Sequence, residues 1–411
     1  MKFPLPANTF PSLLLSQHDQ AALKSLAEAF VDDAMVEYRT FRSPPLNGTI
    51  DETCFKFIKK RDGLTSYLDR KHVDRALETS SIMRDSIREN MGTKSSSKKL
   101  LGVLTVGTID GTLNDQMYGM HHYSTELMRI KSAYMDDSIV DGRILSEICP
   151  PTPEDPGHGL YIKWCVSDFA PTLLHCIIRP RDFVYLDGTG IIVDEITGER
   201  IGYSVSHSLE IPSIRELSEY QIVRATVSIC ALFRQKAHGV VEVYLKGYVD
   251  SKGDIHTRIA ISTTSEALMS YRRGTYCGQM KKLNWLLKTK RTVMLDQSSG
   301  ICSVCQKTVK KLSSFDNSCQ VCMNQVCSSC CEIHKLAFLS TSRQVIRRNL
   351  LFCARCLRVA KFADGLEVAS EELRRLNPLE YFEIPINDDD VSTSPSRSTL
   401  PDAQQEFFGA L

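Results

Sequence analysis

Hydrophobic and polar positions near the start of the chain follow a helical period. Apolar side chains recur every three or four residues over residues 16–41, which is the pattern of a helix with one buried face. Ser16, with Asp19 three residues later, fits an N-terminal capping box. The sequence therefore predicts a long amphipathic helix within an N-terminal helical segment, residues 1–49.

The pattern then changes to strand-like alternation. Two short runs, 54–60 and 64–68, flank Asp62-Gly63, a dipeptide that favours a tight hairpin turn. A helix is predicted at 113–124. The other strand-like runs, separated by turn residues, cover residues 100–108, 160–166, 173–178, 183–186, 201–209, 223–233, 240–249 and 255–261. This succession predicts a single antiparallel sheet.

One face of the predicted sheet needs a cover. Val241, Val243 and Leu245 share one face of their strand, and a face of this kind must be buried. Apolar residues at helical spacing over residues 264–288 predict the helix that covers it. A sheet closed by a long C-terminal helix encloses an apolar cavity wherever the packing is incomplete.

A family resemblance adds to this pattern. Residues 179–185, Arg-Pro-Arg-Asp-Phe-Val-Tyr, resemble the conserved strand of START lipid-transfer domains, and the order of the later strands and closing helix is similar too. The resemblance implies an α+β helix-grip fold over residues 50–292 and a tunnel that holds one lipid, without catalysis. Polar candidates for facing this tunnel are Tyr203, His207 and Arg258, although polar residues of this kind more often occupy core or surface positions, which is the reading we favour. Whether the cavity is open or filled by side chains stays undecided.

Length and composition set the class of protein. A chain of 411 residues exceeds what one hydrophobic core serves, so two or more domains are expected. Hydrophobic residues make up 42% and charged residues 24%, as in soluble globular proteins. No apolar run reaches the roughly 20 residues that span a bilayer, and the N-terminus makes a poor signal peptide. We expect a cytoplasmic protein with a disordered acidic Ser/Pro-rich tail at 387–411.

The cysteines carry the clearest chemistry. Nine of fifteen lie between residues 302 and 356, and eight of these form four CxxC pairs. In a reducing compartment such pairs indicate metal rather than disulfides. One CxxC turn presents two sulfurs to an ion, so eight thiolates close two tetrahedral sites without a vacant position. The predicted ligands of two structural Zn²⁺ ions are Cys302, Cys305, Cys319, Cys322, Cys327, Cys330, Cys353 and Cys356.

The order of the pairs resembles that of the FYVE zinc finger, over residues 296–362, with a short helix or linker at 363–386. A START-like domain followed by such a finger also resembles oomycete START-FYVE proteins. The resemblance implies that the first and third pairs hold one zinc and that the second and fourth hold the other. The implied sets are Cys302, Cys305, Cys327 and Cys330, and Cys319, Cys322, Cys353 and Cys356.

The finger departs from the FYVE pattern where that family recognises phosphatidylinositol 3-phosphate. The stretch that should be rich in Arg and His is residues 314–318, which hold neither, and Asp316 would repel a phosphate. The tryptophan-containing entry motif is reduced to Asp296, and Leu351-Phe352 stand where the family prefers Arg-Val. We therefore do not expect specific recognition of this lipid.

Two residues of the finger stand beside the predicted ligands. Cys331 directly follows Cys330 and is read as a spare thiol, and His334 is a weaker alternative ligand. Residues 302–357 hold eight Lys and Arg against two acids. This excess positive charge either offsets the negative charge of two Zn-thiolate centres or faces an anionic partner. Nucleic acid is not expected, because the basic residues lack interleaved aromatic residues.

These features predict a non-enzymatic, zinc-binding, lipid-associated adaptor. Its START-like domain holds an apolar lipid, and its finger contacts an anionic membrane, a small GTPase or another protein. The expected location is the cytoplasm, with peripheral association at endosomal membranes. Two alternatives stay open: a protein-interaction module with a filled cavity, and a RING-like ubiquitin ligase.

Overall fold

A ten-stranded sheet is the centre of the fold. The structure, a computed structural model, describes residues 3–70, 101–169, 178–253, 255–289, 300–309 and 317–383. The strands are β1 Phe55–Arg61, β2 Leu64–Asp69, β3 Leu101–Asp110, β4 Ile139–Cys149, β5 Gly159–Ser167, β6 Arg181–Val193, β7 Arg200–Ser208, β8 Val223–Arg224, β9 Thr226–Ala237 and β10 Val240–Asp250. Their order is β1-β2-β3-β10-β9-β7-β6-β5-β4, antiparallel throughout, with β8 added in parallel to β6.

Helix α1, Gln17–Arg42, covers one face of this sheet. Its start has the predicted capping box, in which the Ser16 side chain accepts from the backbone N–H of Asp19 and the Asp19 side chain accepts from that of Ser16. The apolar stripe of α1 packs on β7, β9 and β10. The Tyr38 hydroxyl donates to Glu242 over 2.5 Å, which fixes the helix against β10.

Within the described ranges, four helices lie on the opposite face. These are α2 Leu113–Met120, α3 Thr125–Met135, α4 Thr257–Met269 and α5 Gly274–Thr289. Helices α2 and α5 touch backbone to backbone, because a Cβ added at Gly278 would lie 2.2 Å from the carbonyl oxygen of Asp115. Only glycine permits so close an approach. The predicted α+β helix-grip architecture is confirmed by this arrangement of one sheet and its gripped helices.

Some predicted elements differ from the structure. The strand predicted at 255–261 is wrong: Thr257–Met269 is helical, with His256 accepting from the backbone N–H of Arg258 at its start. The helix predicted at 264–288 is two helices, separated by a 3-10 turn at Ser270–Arg273. Strand β4 was not predicted. The run at 173–178 lies almost entirely outside the described residues.

The C-terminal part is a small module around a hairpin. Its elements are β11 Cys331–Leu339, β12 Val345–Cys353, α6 Ala354–Phe362 and α7 Gly365–Leu373, followed by a 3-10 turn at Pro378–Phe382. We call residues 300–362 the cysteine module. We call the ten-stranded sheet with helices α1 to α5 the body. The apolar residues of the module join one buried cluster with those of α2, α3 and α5, so the module packs directly on the helical face of the body. No described helix is both long and apolar enough to cross a bilayer.

Candidate functional site

Two matching turns present the first cysteines of the module. In one turn the N–H of Gln306 donates to the Cys302 carbonyl over 2.9 Å, and in the other the N–H of Met323 donates to Cys319 over 2.8 Å. Gln306 and Met323 both have a left-handed backbone, with φ values of 62° and 58°. Each turn brings its two CxxC sulfurs to the same side, as a tetrahedral metal site requires.

The third and fourth CxxC pairs complete two clusters of four sulfurs. Cys327 and Cys330 lie on a 3-10 turn and join the first turn, while Cys353 and Cys356 lie at the start of α6 and join the second. Within each cluster all sulfurs lie within 4.8 Å of one another. The clusters are Cys302, Cys305, Cys327 and Cys330, and Cys319, Cys322, Cys353 and Cys356. This grouping is the one implied by the FYVE resemblance.

The sulfur spacing fits metal ions. Four sulfurs about 2.3 Å from a tetrahedral zinc ion lie about 3.8 Å from one another. The Sγ atoms of Cys305 and Cys327 are 3.6 Å apart, and those of Cys322 and Cys353 are 3.9 Å apart. The two clusters could therefore hold two metal ions. Among the described residues, Cys331 and His334 belong to neither cluster, and His334 faces Glu332 instead.

The environment of Cys302 favours the thiolate form that binds metal. Burial disfavours the charged form, but backbone N–H groups of Cys327, Cys305 and Val304 donate toward the sulfur, and the pKa of Cys302 falls to about 6. In the second cluster the N–H of Cys353 donates to the Cys319 sulfur over 3.3 Å. Hydrogen bonds of this kind stabilise a negatively charged sulfur.

The hairpin of the module is bonded to helices α3 and α5. The backbone N–H of Ala337 donates to the Tyr134 hydroxyl over 2.6 Å, and its carbonyl accepts from the Asn284 side chain over 3.2 Å. Arg347 donates to the carbonyl of Ala133 over 2.7 Å. These contacts join residues more than fifty positions apart, so the module has a fixed place on the body.

A buried ion pair adds a second connection. The Lys282 ammonium lies 2.7 Å from the Asp115 carboxylate, and their side chains are 0% and 3% exposed. The same ammonium donates to the carbonyls of Lys361 and Ala363 at the end of α6. Lys282 therefore connects α5, α2 and α6 at one buried point.

A cavity of about 180 Å³ lies between the sheet and α4. Its apolar lining includes Val227, Ile229 and Leu268, and the aromatic rings of Tyr185 and Tyr271 also face it. Hydroxyls of Thr189, Ser204 and Ser206 are added on the sheet side. The cavity thus combines an apolar wall with several groups that can form hydrogen bonds, which is the usual character of a small-molecule site.

Charged groups gather at one part of the cavity wall. Lys131 donates to Asp137 over 3.2 Å, and the Lys163 ammonium lies 2.6 Å from Asp187. Burial lowers the pKa of Lys131, but Asp137 more than offsets it, so this pKa is raised. His122 is buried, which together with Lys163 lowers its pKa well below the ordinary value. The wall therefore offers paired charges and a neutral imidazole.

The polar candidates named from the sequence lie elsewhere. Tyr203 packs in the cluster under α1, and Arg258 is exposed at the start of α4. His207 bonds to Ser228 and packs against the ring of Phe30, away from the cavity. None of the three lines the cavity; they occupy the core or surface positions that the sequence analysis favoured for them. Tyr203 and His207 are four residues apart on β7, so strand alternation places both side chains on the α1 side of the sheet.

Comparison with known proteins gives solved structures but no close relative. No protein-family model and no curated protein matches this chain. Human StAR-related lipid transfer protein 5 is 14% identical, with 63% of this chain and 97% of that chain covered, at a TM-score of 0.42. Human STARD10 is 12% identical, covering 58% and 78%, at 0.36. The lipid transfer and protein localization domain of human StarD13 is 14% identical, covering 54% and 88%, at 0.35.

Proposed function

We propose that this protein is a non-enzymatic, lipid-associated adaptor built on two structural zinc ions. The observation that carries the lipid part is the cavity between the sheet and α4, which has an apolar wall and a polar part around Lys131 and Asp187. Such a lining suits a largely apolar molecule with one hydrogen-bonding group. The known proteins of similar structure include two whose names describe lipid transfer, which is consistent with this proposal.

Zinc is the metal we propose for both cysteine clusters. Four thiolates around one ion are the donor set of structural zinc sites, and sulfur spacings of 3.6 and 3.9 Å suit its bond lengths. With four protein ligands, a zinc ion has no position left for water, which supports a structural role. The ions would be held by the module's own turns and would supply folding free energy, and no chemical step is assigned to them.

The order of the cysteine pairs supports relating the module to FYVE fingers. We propose that it contacts an anionic membrane or a protein such as a small GTPase, and that the protein works in the cytoplasm with peripheral association at endosomal membranes. The Arg- and His-poor stretch at 314–318 argues against phosphatidylinositol 3-phosphate as a specific ligand. Contact through general surface charge is the mode that the basic composition favours.

Native mass spectrometry of the full chain tests the lipid proposal. The purified protein should carry a lipid-sized mass that organic extraction removes. Val227 lines the cavity, so Val227→Trp should fill it and abolish the copurifying mass. Val193→Trp is the matched control, because Val193 lies on β6 with 60% of its surface exposed. A protein that is empty under all preparations, or a ligand retained by Val227→Trp, would contradict the proposal.

A further inference from the structure

Helix α6 presents an outer face on which cations and apolar side chains lie together. Arg355, Arg358, Val359 and Phe362 have the spacing i, i+3, i+4 and i+7, which places them on one stripe of the helix. Lys361 is exposed beside them. Val359 is 41% exposed and Phe362 is 68% exposed, and the Arg358 guanidinium lies 5.7 Å from the Phe362 ring centroid. We call these five residues the outer face of α6.

The three cations of the outer face have no ion-pair partner in the part of the chain that the structure describes. Two other exposed arginines of the C-terminal part, by contrast, are ion-paired. Arg343 lies 2.8 Å from Glu383, and Arg375 lies 3.6 Å from Glu371. The outer face of α6 therefore combines uncompensated positive charge with exposed apolar surface, which is the requirement for contact with an anionic, partly apolar partner.

Both ends of α6 are fixed, so the outer face has a defined orientation. At the start, the Cys353 sulfur accepts from the N–H of Cys356 over 3.4 Å, and both cysteines belong to the second sulfur cluster. At the end, Lys282 donates to the carbonyls of Lys361 and Ala363 over 3.3 and 2.9 Å. The inward side is buried through Cys356 and Ala360. A helix held in this way presents its other side to solvent without a cost of ordering on contact.

We propose that the outer face of α6 is the surface by which this protein docks on anionic lipid membranes. The inference rests on the membrane contact proposed above and names the residues that make it. Phe362 and Val359 would enter the boundary between headgroups and acyl chains, while Arg355, Arg358 and Lys361 would face lipid phosphates. One helix stripe that mixes both kinds of exposed side chain fits a lipid surface, which deforms around it, better than a protein groove.

Vesicle sedimentation with the full chain tests this surface. Vesicles of phosphatidylcholine with about 30% phosphatidylserine should bind the protein, and pure phosphatidylcholine vesicles should bind it far less. Arg355→Gln with Arg358→Gln should lower the partition coefficient about 25-fold, because each basic residue near an anionic surface contributes about fivefold. Phe362→Ala should lower it about tenfold, because it removes most of the inserted apolar area.

The matched control is Arg343→Gln with Arg375→Gln, which removes the same charge from paired positions. Equal losses in both double variants, or no loss in either, would overturn the inference. Tight binding to phosphatidylinositol 3-phosphate vesicles of equal charge would also overturn it, since it would indicate recognition of one headgroup. The copurifying mass and the metal content should be unchanged in all variants. Loss of vesicle binding therefore tests α6 separately from the cavity proposal.

Discussion

The two tryptophans of the chain lie in cores of different construction. Trp164, on β5, is 0% exposed and packs among apolar residues of the sheet and the N-terminal segment. Trp285, on α5, is 8% exposed and packs in a second hydrophobic core. This core also contains the buried cysteines of both sulfur clusters and apolar residues of α6 and α7. The first core is complete without the module, whereas the second is shared with it. The cysteine module and the helical face of the body therefore form one structural unit.

The shared core has an energetic reason. A module of about 60 residues buries little apolar surface of its own, so metal ligation or a neighbouring surface can supply much of its stability. This module offers both: two sulfur clusters that could hold metal ions, and a surface that packs on the helices of the body. Phe338 and Phe352 are buried against the body's helices, while Cys353 of the second sulfur cluster ends the hairpin at the side away from its turn. Metal loss is therefore expected to disturb α5 as well as the module.

Metal removal gives the largest expected effect and tests directly whether only the core around Trp285 depends on the metal. A strong chelator, or Cys319→Ser, should remove about 10 kcal/mol of folding free energy from the module. Single-tryptophan variants, Trp164→Phe and Trp285→Phe, separate the two cores by fluorescence. We expect a red shift of the Trp285 emission and little change at Trp164. Elemental analysis should give two zinc atoms per chain before treatment and one or none in the variant.

The opposite results would have distinct meanings. Equal red shifts at both tryptophans would show that the sheet core also depends on the metal, and no shift at either would show that the shared cluster holds without it. Far fewer than two metal atoms in a protein with a folded module would contradict the zinc assignment. Cys331→Ser serves as the control, because Cys331 lies outside both clusters and should leave the metal content unchanged.

The buried ion pair between α5 and α2 gives the next effect. Lys282→Met leaves Asp115 as a buried, unpaired carboxylate and also removes the donor to the end of α6. Breaking one partner of such a pair costs about 3–5 kcal/mol. Urea unfolding of the full chain measures the change in free energy of unfolding. Arg343→Met should cost at most about 1 kcal/mol, because its pair with Glu383 is exposed.

A double variant sharpens this prediction. Asp115→Leu combined with Lys282→Met replaces the pair by apolar groups, so it should cost less than Lys282→Met alone. A double variant that is as unstable as Lys282→Met alone would show that the donor to the α6 carbonyls, rather than the ion pair, is the important contact.

Local patterns explain what the sequence predicted well. The CxxC pairs, the capping box at Ser16 and the hairpin at Asp62-Gly63 are each read from a few adjacent residues, and the structure contains all of these features. The strand predicted at 255–261 failed because apolar residues alternate there only by chance, while Ala260, Thr264 and Leu268 continue at the spacing of a buried helical face. Periodicity over seven residues cannot separate the two cases.

Long-range packing explains which features could not be predicted from the sequence. The contact between Ala337 and Tyr134 joins residues 203 positions apart, and no local pattern encodes it. The polar cavity residues were missed for the same reason. Lys131 and Asp187 come from α3 and β6, and only the fold brings them to one cavity. A charged residue in an otherwise apolar strand, such as Lys163 on β5, was the available signal, because such a residue needs a buried partner.

The smallest expected effect is the pH dependence of the contact between α7 and the body. Glu372 is buried and accepts from the Tyr118 hydroxyl over 2.5 Å. Burial raises the pKa of Glu372 to about 7, although Lys281 and Tyr118 act in the opposite direction. Because the folded-state pKa lies above the ordinary value of 4.5, the stability contributed by the neutral carboxyl is complete below that value and is lost as the pH rises through 7.

Glu372→Gln should remove this loss, because the amide keeps an acceptor for Tyr118 and cannot ionise. Urea unfolding at about pH 5 and about pH 8 should show wild-type protein losing about 2 to 3 kcal/mol more than the variant over that range. Glu383→Gln changes a half-buried carboxylate just after the Pro378–Phe382 turn and should keep the wild-type slope. If the free energy of unfolding depends on pH equally in Glu372→Gln and wild type, α7 detaches from the body before Glu372 ionises. In that case the docking of α7 would depend on the metal-supported module alone, and the shared core would end at α6.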